Sequence, residues 1–328
     1  MTTPKSAELD YYLTTFLAPL QEWLKRPDVT DIWINQPGEV WVEALGGEIE
    51  RFERSAIDEG LLSRLARQIA AFGAQGISRE HPLLAATLPD GSRVQVAAPP
   101  AASAGHAFAI RRHVSSDLSL DDWCDSGAFA ELAAAPAEMD TERRFRAVPN
   151  DEAHKALATG VRERRNILIS GGTSTGKTTF LNALMKEIPR DERLILIEDT
   201  EELKSANPNT LALIAARGEL AEARVSTEGL LMAALRMRPD RIILGEIRGA
   251  EAFTFLRAIN TGHPGSIATI HANSPARAIE QLAMLVLQSG SRLDGAELRR
   301  YVRESVDVFV QLERREGMRR VAKLLVAE

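Results

Sequence analysis

The chain has 328 residues, 45% hydrophobic and 26% charged, with a formal net charge of −6. Those values fit an ordinary globular protein of two domains and exclude disordered or fibrous classes. The single cysteine, Cys124, excludes a disulfide framework and a Cys-rich zinc site, and fits a reducing compartment.

No apolar run approaches the ~18 residues of a membrane helix. The N-terminus MTTPKSAELDYY lacks the basic-then-apolar pattern of a secretory signal. The expectation is therefore a cytoplasmic protein unless a partner places it elsewhere. Residues 1–150 hold 14 basic against 22 acidic side chains, whereas residues 151–328 hold 26 against 24. An acidic chain with no basic block and no aromatic-plus-basic segment is a poor match to nucleic-acid binding. No direct sequence-specific nucleic-acid contact is expected.

In chain order, residues 11–23 read as an amphipathic helix. DIWINQPGEVWVE follows, two alternating runs about Gln36-Pro37-Gly38, which predicts a hairpin. Ile57, Leu61, Leu65, Ile69 and Phe72 recur every three to four residues, the pattern of a helix with one buried face. ATLPDGSRVQVAAPP predicts a second hairpin turning at Pro89-Asp90-Gly91, and HAFAIRR a further strand. Residues 1–112 thus form a smaller α+β domain. Residues 113–150, rich in Ala, Asp, Glu and Pro, read as a linker.

Residues 151–328 change character. Asn150 or Asp151 is positioned to cap a helix over 152–163. NILIS, RLILIE, RIILGE and SIATI are short and nearly all apolar, as in strands buried on both faces of a parallel sheet. Helical stretches alternate with them, the last beginning at Ser274-Pro275 and ending before Gly290. The expected fold class is α/β, a domain with a central, mainly parallel sheet.

Gly171-Gly172-Thr173-Ser174-Thr175-Gly176-Lys177-Thr178 matches the phosphate-binding loop, with a strand before it and a helix after it. Its backbone N–H groups and the helix N-terminus make an anion site. Lys177 would reach the β- and γ-phosphates and Thr178 would ligate Mg²⁺; with Thr179 these residues are the candidate ATP-binding set. Acidic residues follow two strands, Glu198 and Asp199 in LIEDTEEL and Glu246 in LGEIRG. Carboxylates at strand ends beside such a loop hold Mg²⁺ through water or take a proton from the attacking water. Gly245 stands where many loop NTPases carry an aspartate, so Thr178, Glu198, Asp199 and Glu246 form the candidate metal set. Alone, each carboxylate would read as a charge ending a strand; the loop tips Glu246 towards function. His271, just after SIATI, has two open readings, a structural histidine or a sensor of γ-phosphate. His263 reads as structural.

Four boxes in fixed order, GGTSTGKT, LIEDTEEL, ALRMRPDRIILGEIRGAEA and GHPGSIATIHANSPARAIEQL, give the chain its resemblance to the type II/IV secretion-ATPase superfamily. DVTDIWINQPGEVWVE, DGSRVQV and AIRRH extend it, and within the superfamily the chain looks most like the traffic ATPase of type IV secretion. The resemblance implies a RecA-like ATPase domain in a homohexamer, working with inner-membrane and cytoplasmic components of a secretion machine at the cytoplasmic membrane face. It implies that Glu246 polarises the attacking water and that Arg93 and Arg111 of the N-terminal domain reach the γ-phosphate. By itself Arg93 reads as a solvated charge. Arg236 and Arg238 stay open between a neighbour's site and local ion pairs. The absence of a tetracysteine module points away from type II assembly ATPases, while a pilus motor remains the nearest alternative and a nucleic-acid motor a more distant one.

Overall fold

The computed structural model describes residues 13–45, 47–112, 117–132, 145–215, 225–291 and 293–328. Among these, residues 13–112 with Val225 form one compact unit, and residues 117–215 with 226–328 form another. The parts of the expected linker at 113–116 and 133–144 lie outside the described residues, as do Tyr11 and Tyr12 of the first expected helix.

The first unit is a six-stranded sheet with a helix against it. Strands β1 (Val29–Ile34), β2 (Glu39–Ala44), β3 (Ile49–Glu53), β4 (Leu83–Thr87), β5 (Arg93–Ala97) and β6 (Ala107–Arg111) take the order β3-β2-β1-β6-β5-β4. Every pairing is antiparallel. Helix α1 (Glu59–Phe72) is capped by Asp58, whose carboxylate accepts from the Leu61 N–H at 2.7 Å. Leu62, Leu65 and Ile69 of α1 join Ile32, Ile34, Val40, Val94 and Val96 of the strands in one core. The expected helix over 11–23 is interrupted: a 3-10 turn at Ala18–Leu20, with Pro19 in its first turn, precedes a short helix at Gln21–Leu24. A proline lacks the N–H that a continuous helix would use there.

The second unit is an eight-stranded sheet covered by helices on both faces. Its strands are β7 (Phe145–Ala147), β8 (Ile167–Gly171), β9 (Leu194–Glu198), β10 (Thr210–Ile214), β11 (Arg241–Ile247), β12 (Ile267–Ile270), β13 (Val308–Arg315) and β14 (Met318–Ala327). The order is β10-β9-β11-β12-β8-β13-β14-β7. From β10 to β13 each neighbour is parallel; β13-β14 and β14-β7 are antiparallel. The helices are α2 (Leu120–Asp125), α3 (Asn150–Arg162), α4 (Lys177–Met185), α5 (Thr227–Ala234), α6 (Glu251–Asn260), α7 (Pro275–Gln288) and α8 (Gly295–Ser305).

Strand residues alternate between two apolar layers, as the two-residue period of a strand requires. Leu168, Ile195, Ile242 and Leu244 pack with α6, α7 and α8, whereas Ile167, Ile169, Leu196 and Ile243 pack with α2, α3 and α4. Two expectations need correction. Residues 117–132 and 145–150 are not a simple connector, because α2 and β7 are folded into this unit, with Trp123 and Phe129 in its core. Asn150 does not cap α3, whose N-cap is Pro149. Its amide instead donates to the Ala130 carbonyl at 2.6 Å and accepts from the Leu132 N–H at 3.0 Å, holding that segment in place.

At the N-terminal edge of the parallel strands Arg241 is fully buried. It makes a two-pronged ion pair with Glu192 at 2.5 and 2.9 Å and donates to the Val161 carbonyl at 2.6 Å. A guanidinium without its carboxylate there would be an uncompensated buried charge. Glu192→Ala is expected to destabilise the unit by about 3–5 kcal/mol, and Arg162→Ala, which breaks the exposed Arg162–Glu187 pair, by under about 1 kcal/mol. Urea denaturation of the three proteins checks the ordering.

Candidate functional site

The parallel register brings the C-terminal ends of β8, β9, β11 and β12 to one edge of the sheet, where open α/β folds bind ligands. The strand β8 is buried along its whole length and runs into the loop 172–176, from which α4 starts at Lys177. Gly176 has φ +90°, a conformation that favours glycine, and a β-carbon there would stand 2.8 Å from Cδ of Arg319. Ser174 is also left-handed, φ +60°, an uncommon state for a residue with a side chain. The Thr175 hydroxyl donates to the Gly172 carbonyl at 2.9 Å and ties the loop into a cradle.

The ammonium of Lys177 is turned onto the loop, donating to the carbonyls of Gly171 at 2.9 Å and Gly172 at 3.0 Å. It lies 3.4 Å from Nδ1 of His271. Nε2 of His271 stands 2.9 Å from Oε1 of Glu246. The other Glu246 oxygen accepts from Arg248, whose second prong donates to Asp199 at 2.8 Å. Lys177, His271, Glu246, Arg248 and Asp199 therefore form one continuous chain of polar contacts across three strand ends and the loop. Thr178 and Gly172 are half-buried, Thr175 and Thr179 buried, and Thr173 and Ser174 exposed.

Glu246 leaves the ladder at an irregularity. The register of β11 on β12 shifts between Leu244 and Ile247, and the Gly245 carbonyl is taken by the Thr269 hydroxyl at 2.6 Å. A β-carbon on Gly245 would sit 3.3 Å from Cγ of Glu198, so the glycine where many loop NTPases carry an aspartate also makes room for the neighbouring strand's glutamate.

Glu198 is buried. Burial pushes its carboxyl up to about 7, against the N–H groups of Glu202 and Leu203, which donate to Oε1 and favour the ionised form. Oε2 has no hydrogen-bond partner among the described residues. The LIEDTEEL loop is stitched to α4 by Asn182, which donates to the Glu202 carbonyl and accepts from the Lys204 N–H.

Among the described residues no three His, Cys, Asp or Glu side chains gather as a metal-holding group. Asp199 and Glu246 are bridged by Arg248 instead. A Mg²⁺ held mainly by nucleotide phosphates and water needs only one or two protein ligands. The Thr178 hydroxyl, at the start of α4, has the chemistry for that demand, whereas the unpartnered Glu198 oxygen is buried.

Arg93 and Arg111 belong to the first unit and are register partners on β5 and β6. Arg111 also faces Asp31 across β1, with Nε 4.0 Å from its carboxylate. His263 precedes β12 and its carbonyl accepts from the Ser266 hydroxyl at 2.8 Å. Arg248 was missed as a site residue, although its position two after Glu246 puts it on the same side of an extended chain. Arg319 and Trp123 were missed because nothing in the sequence connects them to the loop.

The raised Glu198 carboxyl has a definite pH consequence. Between about 4.5 and about 7 the unfolded chain gives up this proton while the folded chain keeps it. Stability on this account is therefore fully present at the acid end and lost as pH rises through that window. Glu198→Gln should flatten the decline by up to ~3 kcal/mol, read as denaturation midpoints from pH 4.5 to 8; an unchanged slope would remove the buried proton.

With this geometry described, the chain can be compared with known proteins. The family model for type II/IV secretion system proteins matches residues 15–316. The type IV secretion system protein VirB11 of Bartonella quintana is 36% identical over 326 residues, covering 94% of this chain and 91% of the relative. The type IV secretion system protein PtlH of Bordetella pertussis is 38% identical over 323 residues, covering 95% and 92%. A crystal structure of the pilus retraction motor PilT with bound ADP shares the fold at a TM-score of 0.62 and 20% identity, covering 95% of this chain and 83% of that one. The phosphate loop, the acidic strand ends and the histidine after β12 all lie within the matched span, and the chain belongs to the type II/IV secretion system protein family.

Proposed function

We propose that the chain is an ATP-hydrolysing motor of a type IV secretion machine, its second unit a RecA-like ATPase domain. The observation that carries this is the contact chain from Lys177 through His271 to Glu246, which joins the phosphate loop to a carboxylate at the bulged end of β11. Type IV secretion proteins aligned over more than nine-tenths of the chain support the setting.

In this reading the loop N–H groups and the α4 N-terminus receive the β- and γ-phosphates. Lys177 exchanges two loop carbonyls for phosphate oxygens without travelling far. Glu246 orients a water and accepts its proton as the oxygen attacks the γ-phosphorus. The bond to the β–γ bridging oxygen breaks, and ADP and phosphate leave. His271, between Glu246 and Lys177, senses whether the γ-phosphate is present. Bound Mg²⁺ would neutralise phosphate charge, held by Thr178 with Asp199 through water. Arg93 and Arg111 of the first unit act on the γ-phosphate, guanidinium groups being suited to its spread negative charge. Release of phosphate removes these contacts and loosens the first unit, an order-to-movement conversion common to nucleotide switches.

The working form is a homohexamer at the cytoplasmic face of the inner membrane, recruited by other components of the machine. No helix among the described residues is long and apolar enough to cross a membrane.

Lys177→Ala is expected to lower ATP turnover by about 10²–10³-fold. Glu246→Gln should bind ATP normally yet hydrolyse it ~10²–10⁴-fold more slowly. Phosphate-release and ATP-binding assays separate the two, and near-normal turnover in Glu246→Gln would take the base role from that residue. Light scattering with ATP and Mg²⁺ should give the mass of a hexamer; a stable monomer in every nucleotide state would contradict the ring.

A further inference from the structure

The proposed reaction puts the γ-phosphate beside Glu246 and His271, at the ends of β11 and β12. In the sheet, β12 lies on one side of β8 and β13 on the other. A nucleoside triphosphate is elongated, and its phosphate chain follows the loop at the end of β8. With the γ end towards β12, the nucleoside end must leave towards the β13–β14 hairpin.

The hairpin carries a side chain placed to meet it. Cδ and Nε of Arg319 lie 2.8 and 3.3 Å from where a β-carbon on Gly176 would stand, so the arginine is laid across the loop at the start of α4. Trp123 of α2 closes the same place, its Cη2 3.5 Å from that point and its ring edge-on to Phe180 of α4 at 4.9 Å. Trp123 is 2% exposed, and its Nε1 has no hydrogen-bond partner among the described residues. The next arginine is spent differently: Arg320 pairs with Glu131 at 2.7 Å. Successive strand residues leave on opposite sides, so only Arg319 of this pair is directed to the loop.

We infer that Arg319 is the nucleoside contact of the ATP site, its planar guanidinium lying against the base. Guanidinium groups stack on aromatic planes as ammonium groups do not. This rests on the ATP-hydrolysing reading above.

The test measures equilibrium binding of ATP and of inorganic tripolyphosphate, each with Mg²⁺, to the full chain. The ratio of the two affinities isolates the nucleoside. Arg319→Ala should weaken ATP about tenfold, as loss of one stacking partner does, and leave tripolyphosphate unchanged. Arg319→Lys, which keeps the charge, should recover little of the ratio, and Arg320→Ala should keep the wild-type ratio. Equal weakening of both ligands in Arg319→Ala, restored by Arg319→Lys, would make Arg319 a phosphate contact and overturn the inference; so would unchanged binding of both. Failure of the parent reading looks different: the wild-type chain would bind neither ligand, or Lys177→Ala would leave both affinities intact, and the inference would fall with it.

Discussion

The candidate site depends on one constraint, the parallel register that β8 shares with β12 on one side and β13 on the other. Parallel pairing aligns strand ends, so the loop after β8, the carboxylates after β9 and β11 and the histidine after β12 arrive at one edge without further instruction. Parallel strands need covering on both faces, and the alternation of Leu168 against Ile167 and Ile169 supplies an apolar residue to each. At the opposite edge, Arg241 and Glu192 close the same sheet with a buried ion pair. The active end is polar and partly open; the far end is sealed.

Electrostatics at the open end are arranged in opposition. Arg248 stands between Asp199 and Glu246, two carboxylates that would otherwise repel. Glu198, on the next strand, receives two backbone N–H groups but no cation, and burial raises its carboxyl. A carboxyl raised by burial at a strand end is a common property of reactive sites.

Much of this was legible in the residues. The positions of the phosphate loop, Glu246 and His271 at the ends of apolar strands follow from the sequence, and the hairpins at Gln36-Pro37-Gly38 and Pro89-Asp90-Gly91 are turns between antiparallel strands. Other features were hidden for physical reasons. The β13–β14 hairpin carries ERREGMRR at its tip, where charge masks strand alternation. The strand β7 has only three residues, too few for any period, and lies in a stretch whose Ala, Asp, Glu and Pro content reads as linker. Asn150 has the right chemistry for a cap but is used to hold residues 130–132. That Arg93 and Arg111 face each other follows from strand pairing between segments nearly twenty residues apart, which no local pattern encodes.

The central claim is that the loop from Gly171 to Thr178 receives the phosphates of ATP while Glu246 stands ready beside them. Hydrogen exchange with mass spectrometry, with and without saturating ATP and Mg²⁺, tests it most directly. The account predicts that amides 172–179 become strongly protected on ATP addition and that the segment around Glu246 is protected with them. Unchanged exchange across the loop at a nucleotide concentration that saturates binding would contradict it.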